Sequence, residues 1–235
     1  MKRKIKIYPT KEETVNALAI HIKHLVHAKE KALVHIALSG GTTPALLFDS
    51  LAIADISWQR VHLWWSDERC VLPTDEQSNY GMTKLRLLNK ISIPQENIHR
   101  IKGEMIPDDA CSDYIQSLKD NFDTYTPKFD LILLGMGVDG HTASIFPKEL
   151  HLFDSDAYCA VVQHPKTGQY RISFTGKLLN SAAEVCFLVA GIEKAEKIEE
   201  VLLERRNYKG MPSWYVQPSS GSLYFFLDTE AAKLL

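Results

Sequence analysis

Short apolar runs rich in β-forming residues recur along this chain, each followed by a stretch with helical signals, and this alternation restricts the architecture more than any other feature. Ile5 and Ile7 open a first strand, and Thr10-Lys11-Glu12-Glu13 has the form of a capping box leading a helix to about His27. Residues 32–38 read as a second strand. Thr43 or Pro44 then begins a helix, where proline does no harm because first-turn N–H groups have no helical acceptor. Val61–Trp65 is a third strand, and residues 129–134 are a fourth. Ser78 can cap a helix carrying Met82, Leu85 and Leu88, and Pro107-Asp108-Asp109 can start another carrying Ile115 and Leu118. Later strands fall at Tyr170–Phe174 and at residues 185–190 and 223–227, with a helix over residues 192–204. Such alternation implies an α/β architecture: a single domain over residues 1–235 with a doubly wound, mostly parallel sheet flanked by helices.

Composition limits the partners. A chain of 235 residues that is 45% hydrophobic can bury a sizeable core. Its formal net charge of -2 provides no general attraction for nucleic acid or an anionic membrane, so anion binding requires a local site. Met1-Lys2-Arg3-Lys4 resembles the start of a signal peptide, but no apolar segment follows it, and no run is long enough to span a bilayer. Cys70, Cys111, Cys159 and Cys186 are widely spaced, which fits reduced cytosolic thiols better than a disulfide framework or a zinc site. The expectation is a cytoplasmic protein with no nucleic-acid or membrane partner.

Four segments fall at strand ends or helix starts. Gly135-Met136-Gly137-Val138-Asp139-Gly140-His141 follows the fourth strand directly, which places Asp139 and His141 at the carboxyl end of a buried strand, where open α/β sheets bind ligands. Histidine is the side chain best suited to moving protons near neutral pH. Ser39-Gly40-Gly41-Thr42-Thr43-Pro44 joins a strand to a helix, an arrangement whose free N–H groups attract phosphate. It lacks the lysine of a P-loop and the spaced glycines of a dinucleotide fingerprint, and taken alone it is equally an ordinary tight turn. Ser66-Asp67-Glu68-Arg69 is either a solvated charge cluster or a set of groups that orients a polyhydroxyl ligand, with Arg69 offering a planar fork. Lys194, in Gly191-Ile192-Glu193-Lys194, is either an exposed helix-start lysine or an anion contact at the same end of the sheet.

These segments, together with Ser78-Asn79 and the continuation Thr142-Ala143-Ser144-Ile145-Phe146-Pro147, resemble the motifs of the 6-phosphogluconolactonase family, in the family's order and over nearly the whole chain. The resemblance implies a modified Rossmann-like fold of the deaminase/lactonase type. It implies hydrolysis of 6-phospho-D-glucono-1,5-lactone to 6-phosphogluconate, the second step of the oxidative pentose phosphate pathway, with no metal and no organic cofactor. Ester hydrolysis requires an activated water, a stabilised oxyanion and a proton for the departing ring oxygen. His141 is assigned as the general base, with Asp139 and Asp67 as candidates for orienting it or the sugar hydroxyls. The phosphate falls to Ser39, Gly40, Gly41 and Thr42 together with Arg171 and Lys194, with Arg69 as a further substrate contact. Residues 148–169 match least well, and His164 is an alternative to Arg171 as an entrant to the site.

Two other readings compete. Glucosamine-6-phosphate deaminase resembles this chain in fold and glycine loops, but that family carries Glu before the proline where Phe146 stands here, and phenylalanine cannot shuttle protons. A non-catalytic sugar-phosphate-binding module is the alternative of a different class; the chain has no spare helix-turn-helix segment or basic patch to serve as its output. The oligomeric expectation is a monomer or small homo-oligomer. His21, His24 and His27 recur on one helix and read as a solvated face; His35 and His62 read as packing or edge residues; Glu193 and Lys197 read as an i,i+4 pair.

Overall fold

A computed structural model describes residues 3–29, 32–122 and 126–235 of the chain, so Met1 and Lys2 of the basic start lie outside the described residues. The strands are β1 (Arg3–Tyr8), β2 (Val34–Leu38), β3 (Val61–Trp65), β4 (Asp67–Arg69), β5 (Ile98–His99), β6 (Leu131–Leu134), β7 (Cys159–Gln163), β8 (Tyr170–Phe174), β9 (Glu184–Val189) and β10 (Ser222–Asp228). The α-helices are α1 (Lys11–Ala28), α2 (Thr42–Ala52), α3 (Asn79–Arg86), α4 (Pro107–Asn121), α5 (Gly176–Leu179) and α6 (Ala195–Leu203). Their ends follow the sequence signals. The Thr10 hydroxyl accepts the Glu13 N–H at 3.1 Å, Ser78 accepts the Gly81 N–H at 2.9 Å, and Pro107 occupies the first turn of α4.

Seven strands form one sheet in the order β1-β10-β9-β6-β2-β3-β5, and every pairing in it is parallel. The chain runs from β2 outward through β3 to β5, then returns to β6 on the other side of β2 and continues outward through β9 and β10. The winding therefore reverses between β2 and β6. At such a switch point the two following loops diverge and leave a crevice at the carboxyl ends of the strands. β6 is buried on both faces, which explains its uninterrupted Leu-Ile-Leu-Leu. α1 supplies Val15, Leu18, Ala19, Ile22 and Val26 to the core at helical spacing, each large side chain contributing roughly 1.5–3 kcal/mol on burial.

Tyr170–Phe174 does not join the parallel sheet as the alternation implies. It is β8, the centre of a separate three-stranded antiparallel sheet in the order β4-β8-β7. Its register sets Arg69 opposite Arg171 and Asp67 opposite Ser173. Ser66 joins the two sheets, donating its N–H to the Leu38 carbonyl at 2.7 Å while its own carbonyl accepts the Phe174 N–H at 2.8 Å. Two surface readings also change. His24 and His27 are exposed, but His21 is partly buried and its Nε2 lies 2.7 Å from Glu184 Oε2, because sheet residues rather than solvent face it. Lys197 pairs with Glu200 at 2.9 Å rather than with Glu193. His35 and His62 are packing residues: with His99 and Trp64 they form a stack in which Trp64 Nε1 donates to His35 Nδ1.

Candidate active site

At the switch point between β2 and β6 lies a cavity of about 350 Å³, within the range of small-molecule sites. Its wall brings together Ser39, Gly40, Gly41, Asp67, Arg69, His141, Arg171 and Lys194, which the sequence separates by up to 155 positions, from Ser39 to Lys194. Thr42 falls in the adjoining cleft with Gly41, Gln77 and Asn79, and Asp139 stands behind His141 rather than in the cavity wall. Asn79, Gly135, Met136, Gly137, Val138 and Ala143 complete the wall; all lie in motif segments read from sequence, but none was given a site role there.

The loop after β6 builds the Asp139–His141 pair. Its backbone closes on itself, with the Gly137 N–H donating to the His141 carbonyl at 2.8 Å and the Gly140 N–H to the Gly137 carbonyl at 3.0 Å. This turn sets Asp139 and His141 side by side, and His141 Nδ1 donates to Asp139 Oδ1 at 2.6 Å. The bond fixes the ring's tautomer and leaves Nε2 as the basic nitrogen. Burial works against the Asp139 carboxylate, but the hydrogen bond and charge of His141 outweigh it and hold its pKa down to about 2. Asp139 is thus ionised at any working pH. The residue at position 137 must be glycine for reasons of space: a Cβ there would fall 2.1 Å from His141 Nδ1. Ala143, two residues beyond His141, is held at φ 49°, a left-handed conformation that costs a non-glycine residue roughly 1–2 kcal/mol.

Asp67 is occupied differently from Asp139. Its Oδ2 accepts the Ser144 hydroxyl at 2.7 Å, and its Oδ1 lies 3.4 Å from Asn79 Nδ2, which also donates to the Asp67 carbonyl at 2.9 Å. Of the two carboxylates proposed to orient His141, Asp139 is the one bonded to it, while Asp67 lines the cavity. Behind it, the buried Glu68 carboxylate accepts the N–H groups of Arg69, Asn79 and Tyr80 and the Ser78 hydroxyl, and so ties β4 to the start of α3. Burial pushes the Glu68 pKa up, and these four hydrogen bonds oppose the shift. The signal for Asn79 was its place at the helix start after a long polar stretch.

The opposite charge is concentrated and forms no ion pair among the described residues, although the Asp67 and Glu68 charges act on Arg171. Arg69 and Arg171 face each other across antiparallel strands, where like charges ordinarily destabilise. Burial lowers the Arg171 pKa, and the Arg69 charge lowers it further. The Nε atoms of both arginines are buried without an acceptor among the described residues. Arg171 makes long contacts, Nη1 to the Ser144 hydroxyl at 3.5 Å and Nη2 to Gln169 Oε1 at 3.4 Å, and Arg69 Nη1 donates to the Gln77 carbonyl at 2.5 Å. Lys194 makes no ion pair with a described residue. Gly41, at φ 114°, starts α2 with no side-chain cap, so first-turn N–H groups point toward the same cavity. Two guanidiniums, an ammonium and an uncapped helix start create a binding place for a multiply charged anion. His164 stays outside the wall. Its Nδ1 accepts the N–H groups of Lys166 and Thr167, and its ring packs on Phe146, which lies between it and His141.

Fold and site together define an α/β protein with a cation-rich pocket at a topological switch point and a wall histidine, His141, backed by Asp139. The chain belongs to the family described as glucosamine-6-phosphate isomerases/6-phosphogluconolactonase, whose model matches residues 9–225. It is 42% identical to a 6-phosphogluconolactonase of Treponema pallidum over 82% of each chain, and 37% identical to one of Haemophilus influenzae over 97% of this chain and 98% of the relative. A solved structure titled 6-phosphogluconolactonase from Thermotoga maritima is 28% identical and superposes with a TM-score of 0.85, covering 97% of this chain and 100% of that one.

Proposed function

We propose that this chain, acting as one domain, hydrolyses 6-phospho-D-glucono-1,5-lactone to 6-phospho-D-gluconate. One observation carries the mechanism: His141, in the wall of a cavity, is held from behind by a short hydrogen bond to Asp139, and the same wall holds three cations with no ion pair to a carboxylate among the described residues. The substrate's phosphate lies among Arg171, Lys194 and the Ser39–Gly41 backbone, with Arg69 as a further contact, while Asp67 and Asn79 accept and donate to the sugar hydroxyls.

His141 Nε2 takes a proton from water, and the resulting hydroxide adds to the C1 carbonyl. The Asp139 carboxylate stabilises the imidazolium. As the tetrahedral oxyanion collapses, the bond from C1 to the ring oxygen breaks, and the imidazolium returns its proton to that oxygen. The product acid then ionises. Phe146, fully buried beside His141, contributes no ionisable group, so isomerisation with amine release would lack an acid/base at that position. No helix among the described residues is long and apolar enough to cross a membrane. The four free cysteines favour work in the reducing cytoplasm.

The test is the hydrolysis rate of freshly generated 6-phosphogluconolactone, coupled to 6-phosphogluconate dehydrogenase and corrected for spontaneous opening. Rapid turnover that collapses in His141→Ala establishes activity and base together. Turnover at background would reject the reading and direct attention to ammonia release from glucosamine 6-phosphate.

A further inference from the structure

Away from the active site, the face of the sheet under α1 carries a group of side chains that the proposed reaction does not use. Glu184 and Cys186 are two apart on β9 and so share one face, and α1 lays His21 over them. His21 Nε2, Glu184 Oε2 and Cys186 Sγ all lie within 4.8 Å of one another. We propose that these three side chains form a site for one thiophilic divalent cation of the zinc class, clasping α1 to β9.

The ligand set suits such a cation: an imidazole, a carboxylate and a thiolate are its preferred donors, and three protein ligands leave a fourth position for water. Tetrahedral coordination separates ligand atoms by roughly 3.3–3.7 Å. The His21–Glu184 contact, now 2.7 Å, has to open by less than about 1 Å, and Cys186 has to approach by a similar amount, which side-chain rotation supplies. His21 is held in place by its buried neighbours Leu18 and Ile22 and by ring contacts to Tyr224 and Phe226 at 4.9 and 5.6 Å. Cys186 is fully buried, while the His21 and Glu184 side chains are 18% and 24% exposed, so the group is reached from solvent past those two.

On binding, the Cys186 thiol loses its proton to solvent, and thiolate and carboxylate together balance the two positive charges. Burial and then the Glu184 charge hold that thiol protonated while the cation is away; the Lys6 charge acts the other way. Lys4 and Lys6 on β1 are the nearby cations. Lys4 is pinned to the Tyr224 hydroxyl at 2.9 Å and to Ser222, and Lys6 lies over the Tyr224 and Phe226 rings. Glu184 opens β9 at its amino end, whereas the active site lies at the carboxyl ends of the strands, so the cation acts on the fold and not on the chemistry. This inference does not depend on the proposed reaction.

The experiment uses the full chain stripped with a chelator and titrated with cobalt(II), then zinc. We expect one equivalent of cobalt, a thiolate-to-cobalt charge-transfer band, displacement by zinc and a Tm that rises with zinc concentration. Cys186→Ala should abolish the band. His21→Gln, at a partly exposed helix position, should fold and weaken binding by at least the roughly tenfold that loss of a mere supporting contact costs. Both variants should keep the parent's lactone hydrolysis. Absence of the band in the parent, its survival in Cys186→Ala, or unchanged cobalt affinity in His21→Gln would each overturn the site, and should Cys186→Ala not fold, the His21→Gln titration decides alone.

Discussion

Gly137→Ala tests whether the active-site loop works by placing one ring. The added methyl would fall 2.1 Å from His141 Nδ1, 2.2 Å from Cε1 and 2.8 Å from Asp139 Oδ1. Unstrained contact between such atoms begins near about 3.5 Å, so the imidazole must retreat by roughly 1.4 Å or the loop must shift with it. A misplacement of about 1 Å in a catalytic group costs on the order of 10²-fold in rate, about 2.7 kcal/mol of barrier. The phosphate contacts from Ser39, Gly40, Arg171 and Lys194 belong to other elements and stay in place. The expectation is therefore a kcat lowered by about 10²-fold with KM changed by less than about threefold, measured against freshly made lactone with the spontaneous rate subtracted. Circular dichroism and Tm check that the variant is folded. The double variant Gly137→Ala/His141→Ala should be no slower than His141→Ala alone, because both changes remove the same function. A folded Gly137→Ala enzyme with the parent's kcat would refute the reasoning, since the ring would then have no positional requirement.

Asp139→Asn, which removes the charge that holds the His141 tautomer, should lower kcat by about 10²-fold or more with little change in KM; steady-state kinetics showing only a KM effect would reassign Asp139 to substrate binding. Arg171→Ala should raise KM about ten- to 150-fold, the worth of one charge-assisted phosphate contact, while Tm holds or rises as repulsion with Arg69 is relieved; a fall in both kcat and Tm would contradict this. Burial, reinforced by the neighbouring His62, lowers the pKa of His35 to about 4 and that of His99 to about 3. Both lie below the unfolded value near 6.5, so the stability they confer is complete above pH 6.5 and is lost as pH falls toward 4 and 3. At pH 5 that loss should reach roughly 2 kcal/mol for the pair after discounting for their partial exposure, and urea unfolding of His99→Gln should show a shallower decline between pH 7 and 5 than the parent; identical declines would sink the assignment.

The parts of the fold legible from sequence are those with local causes. The strand-helix alternation, the Thr10 and Ser78 caps and the buried β6 run each carry a signal within a few residues, because turn chemistry and hydrophobic period act over that range. The glycine loops were legible as loops at strand ends. Asp67–Arg69 was not legible as a strand: three charged residues have no period, and they pair only because the distant Tyr170–Phe174 segment supplies a partner. Asn79 carried no sign of its grip on Asp67, and His21 looked like its solvent-facing neighbours His24 and His27 until β9 was laid beneath it.

The amino-acid sequence by itself determined an α/β chain with a histidine and glycine-rich loops at the carboxyl ends of its strands, since propensity, capping and backbone freedom are properties of short segments. Only the tertiary structure decided that the winding reverses between β2 and β6, that Arg69 opposes Arg171, that Asp139 rather than Asp67 holds His141, and that His21 meets Glu184 and Cys186. Each of those is a contact between distant segments, set by strand order and register, and no local sequence pattern encodes which segments the folded core will bring together.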